Sequence, residues 1–323
     1  MTRAPAIPPA AQAVRRGDRR ALARLITQVE DRDPKAEPAL RALYPFSGRA
    51  TVVGLTGPLG VGKSSIVNRL LAHLRAANKT VGVIGVDPSS PFSGGSVLGD
   101  RIRIDRDPAD AGVFFRSMAS RGHAGGLAAT TRQVARLLDA FGMDVVLIET
   151  AGSGQIDVEI GQVASTNVVV LVPHLGDEVQ SLKAGLFEIA DVFCVNKADL
   201  PGADGAARYL LELAGLTMRS DTWRPKVVQS SAANGTGIDQ LWSAIEAHEA
   251  YLRSSGLLAE RARTRLRDEL LERFRERVLE KASARVDGGR VLETLVGAME
   301  RRELDPGTAA ERLYRSLGGR RSG

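Results

Sequence analysis

One cysteine, Cys194, stands among 323 residues. That excludes an intrachain disulfide framework and points to a reducing, cytoplasmic setting. Aromatic residues make up only 4% of the chain, so the stacking platforms that bind single-stranded nucleic acid are scarce. No uninterrupted apolar run is long enough to cross a bilayer, so no membrane segment is expected. The opening stretch, MTRAPAIPPAAQAVRRGDRR, lacks the compact apolar region of a secretory signal. Its arginines and its early shortage of acids fit either a transit peptide or a loose tail, and a loose tail is the expectation. The histidines, His73, His123, His174 and His248, are scattered, with no His-rich loop and no paired cysteines of metal-delivery type. His123, in RGHAGG, reads as a loop residue bonded to backbone rather than as a metal ligand.

Apolar residues reach 43%, enough for a substantial core, and 25% of the chain is charged. The formal net charge is +6. Arginines are nevertheless interleaved with acids, as in ERARTRLRDELLERFRERVLEK, which is the pattern of a solvated helix face. A nucleic-acid partner is not expected.

Short β-branched runs alternate with helical patterns through the middle of the chain. Strands are expected at 51–56, 80–86, 113–118, 144–150, 167–172, 191–196 and 226–231, with helices such as 63–77, 125–140 and 237–254 between them. Several runs are apolar almost throughout, as in strands covered on both faces of a parallel sheet. The fold class is therefore α/β, a doubly wound and mostly parallel sheet. The ends differ. Near the start, Leu22, Leu25 and Ile26 share one helical face in GDRRALARLITQVE. Beyond about residue 252 no strand is expected; Leu266, Leu270, Phe274 and Val278 recur every four residues, with Leu271 beside them. This stripe suits packing on the chain's own domain or an oligomerisation arm equally well. A turn, a short helix and a glycine stop are expected in DPGTAAERLYRSLG. The organisation is an N-terminal helical extension (1–48), a central α/β domain (49–255) and a C-terminal helical arm (256–323).

The most informative stretch is GPLGVGKSS at 57–65. Gly57, Gly62, Lys63 and Ser64 fit G-x-x-x-x-G-K-[ST], between an expected strand and an expected helix. Glycines let backbone N–H groups wrap around phosphates without Cβ clashes. Lys63 neutralises the β- and γ-phosphates in this reading, Ser64 completes a Mg²⁺ shell, and the positive end of the helix adds to anion binding. Gly60, Val61 and Ser65 complete the phosphate loop.

Base recognition is expected elsewhere. NKAD at 196–199 and SSA at 230–232 each follow an expected strand. Asp199 can accept from guanine N1–H and the N2 amino group, a donor pair that adenine lacks, so a buried acceptor would be left unpaired by ATP. Asn196 and Lys197 support the loop and cover the base, with Ser231 beside them, and the Ala232 N–H is expected to face O6. Asp87 and Glu149 close two strands and are the expected Mg²⁺-side carboxylates. In ETAGSGQ, Gly152 offers its N–H to a γ-phosphate and Gln155 is the candidate for positioning water. The ligands are GTP, GDP and Mg²⁺, and Lys63, Glu149 and Gln155 are the expected catalytic groups.

Three further stretches, VDPSSPFSGGSVLGDRIRI (86–104), RSMASRGHAGGLAATTR (116–132) and ETAGSGQIDVEI (149–160), resemble the MeaB family, also called ArgK. The resemblance covers nearly the whole chain. It implies a P-loop GTPase chaperone of an adenosylcobalamin-dependent acyl-CoA mutase, above all methylmalonyl-CoA mutase. It implies that Asp87, Asp100 and Glu149 shape the Mg²⁺ and switch-loop environment, Glu149 standing where most GTPases carry aspartate. HLGDEVQSLKAG (174–185) matches a partner-facing switch segment with Asp177, Gln180 and Lys183. A homodimer through the C-terminal arm is implied, with a cobalamin adenosyltransferase as a further candidate partner. The chain departs from the family pattern at Leu59, at Ser65, in Pro173-His174-Leu175-Gly176-Asp177 and in AGSGQID. None of these removes a phosphate or metal group, but they leave open isobutyryl-, ethylmalonyl- or 2-hydroxyisobutyryl-CoA mutases as partners. The alternatives are a nickel-type metallochaperone, which calls for a metal-binding cluster, and a transport-associated kinase or ATPase, against which Asp199 argues.

Overall fold

The computed structural model describes residues 7–87, 110–119, 126–152, 159–173, 184–217, 223–286 and 290–318. They fall into two units, Met1–Leu258 and Ala259–Gly323. In the first, α1 (Pro9–Arg15), α2 (Arg19–Glu30) and α3 (Glu37–Leu43) precede the sheet. Asp18 starts α2 by accepting from the backbone N–H groups of Arg20 and Ala21, an N-cap that satisfies first-turn donors. The face expected for this helix is the buried one: Leu22, Leu25 and Ile26 are at most 1% exposed.

Seven strands follow: β1 (Thr51–Thr56), β2 (Val81–Asp87), β3 (Val113–Ala119), β4 (Val145–Thr150), β5 (Thr166–Leu171), β6 (Val192–Val195) and β7 (Lys226–Gln229). They form one sheet in the order β3-β2-β4-β1-β5-β6-β7, and every neighbouring pair is parallel. Between them run α4 (Lys63–Ala76), α5 (Gly126–Phe141), α6 (Ala184–Ile189) and α7 (Ala203–Thr217); α8 (Ile238–Ser254) comes after the last strand. Burial on both faces explains the continuous apolar runs of β4, β5 and β6. Along β4, Val146 and Ile148 meet the layer holding α2 and α5, whereas Val145 and Leu147 meet the layer holding α4 and α8. This is the period of two that a pleated strand imposes. Each buried leucine or isoleucine in these layers contributes about 1.5–3 kcal/mol.

The N-terminal helices belong to the same unit as the sheet. Asp139 on α5 accepts from the backbone N–H groups of Gly48, Arg49 and Ala50, fixing the entry to β1. Arg116 on β3 pairs with Glu30 on α2, and Arg19 donates to the carbonyls of Ala111 and Val113. Arg19 thereby occupies backbone acceptors near the β3 edge, where a sheet is otherwise open to pairing.

β6 and β7 are shorter than expected, because their ends turn into the loops at 196–199 and 230–232. β6 stops at Val195 rather than at 196, and β7 at Gln229 rather than at 231. The Ser230 N–H still donates to Val195 O, but the Ser231 N–H turns to Thr236 O within its own loop. As an edge strand, β7 is only half-buried.

The second unit holds most of α9 (Leu257–Val286), with α10 (Arg290–Glu300) and α11 (Pro306–Gly318). α11 is a full helix of 13 residues rather than a short one. Asp305 starts it, accepting from both the backbone N–H and the hydroxyl of Thr308. On α9, Leu270, Phe274 and Leu279 are each more than 60% exposed. Among the described residues no helix is long and apolar enough to cross a membrane.

Candidate functional site

The C-terminal ends of parallel strands are where open α/β sheets bind ligands, and most of the expected site residues gather there. Directly after β1 the chain turns through Gly57, Gly60 and Gly62, with φ of 138°, 82° and 92°. A Cβ on Gly57 would stand 2.2 Å from Val170 O, so the loop begins pressed against β5. Around Gly60 a Cβ would meet nothing within 4 Å; that glycine serves backbone conformation alone. Gly152, just past β4 with φ 82°, closes the other side: a Cβ there would lie 2.6 Å from Gly57 O and 2.7 Å from Lys63 Nζ.

Lys63 opens α4 and is only 5% exposed. Its ammonium donates to Gly57 O at 2.7 Å and Pro58 O at 2.8 Å, which holds it inside the loop. The first N–H groups of any α-helix lack an intrahelical acceptor and carry the positive end of its dipole. The next residue, Ser64, donates its hydroxyl to Glu149 Oε1 at 2.5 Å. Glu149 is 3% exposed on β4. A buried carboxylate and a hydroxyl beside a phosphate loop form an all-oxygen donor set, which fits a hard cation such as Mg²⁺. Ser65 lies exposed on α4.

Asp87 ends β2, one residue beyond the Val86–Thr150 register pair, so its backbone is beside the end of β4. Asp100, Gln155, Asp177, Gln180 and Lys183 lie outside the described residues, as do His123 and His174.

At the far end of the loop, Asn196 is the tie. It is 2% exposed, its Nδ2 donates to Val61 O at 2.8 Å, and its Oδ1 accepts from the Ala232 N–H at 3.1 Å. This differs from the expectation that the Ala232 N–H faces a base carbonyl, because Asn196 occupies that donor. Lys197 adopts φ 57° and reaches back to Gly60 O at 3.1 Å. Ser231 donates its hydroxyl to the Asp199 carboxylate, and the Ala198 N–H donates to Ser230 O. The phosphate loop, 196–199 and 230–232 are thus joined into one surface.

Arg69, which the sequence did not single out, enters this arrangement. Its Nε and Nη2 donate to Ala232 O and Ala233 O, both at 2.7 Å. Nothing in the sequence marks it, since an arginine at an exposed helical position reads as solvated surface. Two groups that could pass for chemistry are structural. Cys194 is fully buried on β6 beside Ser230, and burial pushes its thiol up to about 12, far from thiolate reactivity. His248 is buried on α8, with Nδ1 2.8 Å from Thr166 Oγ1 and Nε2 3.1 Å from Asp191 Oδ1.

A family model described as "Methylmalonyl Co-A mutase-associated GTPase MeaB" matches residues 22–287. A GTPase candidate of Pyrococcus abyssi is 45% identical over 309 residues, 94% of each chain. The mitochondrial methylmalonic aciduria type A homolog of Mus musculus is 33% identical over 273 residues, 82% of this chain and 65% of that protein. The crystal structure of a LAO/AO transport system kinase matches with a TM-score of 0.71 and 27% identity, covering 98% of this chain and 99% of the other.

Proposed function

This chain belongs to the MeaB family of methylmalonyl-CoA mutase-associated GTPases, and from that premise we propose that it is a GTP-driven chaperone of an adenosylcobalamin-dependent acyl-CoA mutase. It is a GTPase with a P-loop fold, and its ligands are GTP, GDP and Mg²⁺. In the proposed role it gates cofactor loading and protects or reactivates the mutase, with methylmalonyl-CoA mutase as the first candidate. The family description, which names that mutase, supports this choice of partner.

The observation that carries the hydrolytic part is the Ser64–Glu149 hydrogen bond beside the enclosed Lys63 ammonium. When bound, Mg²⁺ supplies charge neutralisation at the phosphate oxygens. Ser64 and Glu149, with Asp87 and Asp100, would hold it. Lys63 exchanges its two loop carbonyls for phosphate oxygens, so its charge is aimed before substrate arrives. Gly152 offers a backbone N–H to the γ-phosphate, and Gln155 orients water. Asp199, supported by Asn196, Lys197, Ser231 and Ala232, reads guanine. The exposed side chains of α9 support a homodimer through 256–323.

A regulatory GTPase is slow when its loops seldom hold water and metal in reactive geometry, and partner contact can supply that order. Asp177, Gln180 and Lys183 are the proposed partner-facing residues, and nucleotide state must in turn change affinity for the mutase. The test measures GTP turnover and cofactor loading with the cobalamin-dependent mutase encoded nearest this gene. Faster turnover in the complex is expected. Identical turnover and no binding across methylmalonyl-, isobutyryl-, ethylmalonyl- and 2-hydroxyisobutyryl-type mutases would overturn the chaperone role.

A further inference from the structure

The helix that begins at the phosphate loop also grips the loop at the base end, and it does so through Arg69. Six residues along α4 from Lys63, about 9 Å at the helical rise, its guanidinium meets the carbonyls of two consecutive residues, Ala232 and Ala233. A planar fork of N–H donors suits such a pair, whereas a lysine is a single point of charge. Both bonds are charge-assisted, the stronger class of hydrogen bond.

What Arg69 holds is a small closed turn. The Ser231 N–H donates to Thr236 O at 3.0 Å and the Gly235 N–H to Ser231 O at 2.8 Å. The turn's two polar contacts with the base-end residues leave from its first two positions: the Ser231 hydroxyl to Asp199, and the Ala232 N–H to Asn196. Arg69 takes the carbonyl of that same Ala232. The residue is therefore fixed on both sides, by Asn196 at its N–H and by Arg69 at its C=O. Gly235 serves the left-handed backbone of the turn, with φ 83°; a Cβ there would make only ordinary contact with the guanidinium, 3.7 Å from Nη1.

We propose that Arg69 is the positioning residue for guanine selectivity. By fixing the 231–236 turn to the phosphate-binding helix, it keeps Ser231 and Ala232 where they orient Asp199 and Asn196. Arg69 itself touches neither base nor phosphate; it acts through the turn. The inference rests on the reading that 196–199 and 231–232 recognise the base.

The experiment compares GDP and ADP affinity, and GTP turnover, for the parent protein, Arg69→Ala and Arg69→Lys. ADP shares the phosphates but not the guanine donors, so it reports on the phosphate loop alone. Arg69→Ala is expected to weaken GDP about tenfold, on the scale of a lost charge-assisted hydrogen bond, and to leave ADP nearly as in the parent. The GDP-to-ADP preference shrinks accordingly, and the defect in turnover falls on KM rather than kcat. Arg69→Lys is expected to recover part of the preference, which also keeps the test decisive should the alanine variant fold poorly. A parent-like GDP-to-ADP ratio in both variants overturns the assignment. So does an equal loss for both nucleotides accompanied by a lower melting temperature, which would make Arg69 merely structural. A parent protein that binds ADP as tightly as GDP would instead refute the base-site reading beneath it.

Discussion

A methyl group on Gly62 would stand 2.4 Å from the side-chain nitrogen of Asn196. The phosphate loop and the loop at 196–199 therefore close on each other across a gap that only glycine leaves, and the φ of 92° at Gly62 adds a second reason. Gly62→Ala should displace Asn196 from Val61 O and disturb the first turn of α4 together. Nucleotide affinity is expected to fall by more than about tenfold, the loss of at least one well-placed polar contact. The sheet, built from distant residues, should survive. Titration with fluorescent GDP, alongside far-ultraviolet circular dichroism, checks both halves. Parent-like affinity would mean the two loops do not cooperate.

Base choice can be inverted at one carboxylate. Asp199 accepts from Ser231 in this structure, and its remaining acceptor capacity matches the guanine N1–H and N2 donors. Asp199→Asn presents a donor where xanthine offers a carbonyl. GTP binding should weaken while xanthosine nucleotide binding improves, as calorimetry would record. An asparagine variant that still prefers guanine nucleotides would remove Asp199 from base recognition.

Binding and hydrolysis should separate at the phosphate end. Lys63→Ala deletes the charge enclosed by Gly57 O and Pro58 O, so most nucleotide affinity should go with it. Glu149→Ala leaves that charge in place but removes the acceptor of the Ser64 hydroxyl. It is expected to slow Mg²⁺-dependent turnover more than it weakens GDP. Single-turnover GTP hydrolysis, set beside GDP dissociation constants, distinguishes the two. Parent-like hydrolysis in both variants would show the site to be misplaced.

Acid should act on the segment that leads into β3. The side-chain hydrogen bonds from Arg75, with the Gly112 N–H behind them, hold Asp110 below the ordinary carboxylate value. Because the folded value is the lower one, this contribution is fully present above the unfolded value and is lost as pH falls through the folded one. Urea unfolding followed from neutral pH downward should show stability dropping in that window. Asp110→Asn should flatten the acid limb. An identical pH profile in the variant would show that the Arg75 pair adds no measurable stability.

Much of this protein is written locally. GPLGVGKSS carries its own geometry, since positive φ at Gly57, Gly60 and Gly62 and a helix starting at Lys63 are decided by neighbouring residues. The β-branched runs announce their strands to within a residue or two, because burial on both faces gives strands such as β4 and β5 a continuous apolar stretch of four residues. Leu22, Leu25 and Ile26 likewise mark their buried face by spacing alone. The less regular ends were harder to read: β7 ends at Gln229 because Ser231 bonds within its own turn, a choice invisible in KVVQSS.

Composition and motif order determined the fold class, the phosphate-loop motif and the residue types gathered at 196–199 and 230–232. Only the tertiary structure decided who holds whom. It placed β1 between β4 and β5, brought Asn196 to Val61 from 135 positions away, and buried His248 between Thr166 and Asp191. It also turned Arg69 from an exposed helical arginine into a clamp on Ala232 and Ala233. The physical reason is range. Backbone preference and apolar periodicity act over a few residues, whereas a hydrogen bond between loops requires several strands and helices to pack in one order before its partners meet.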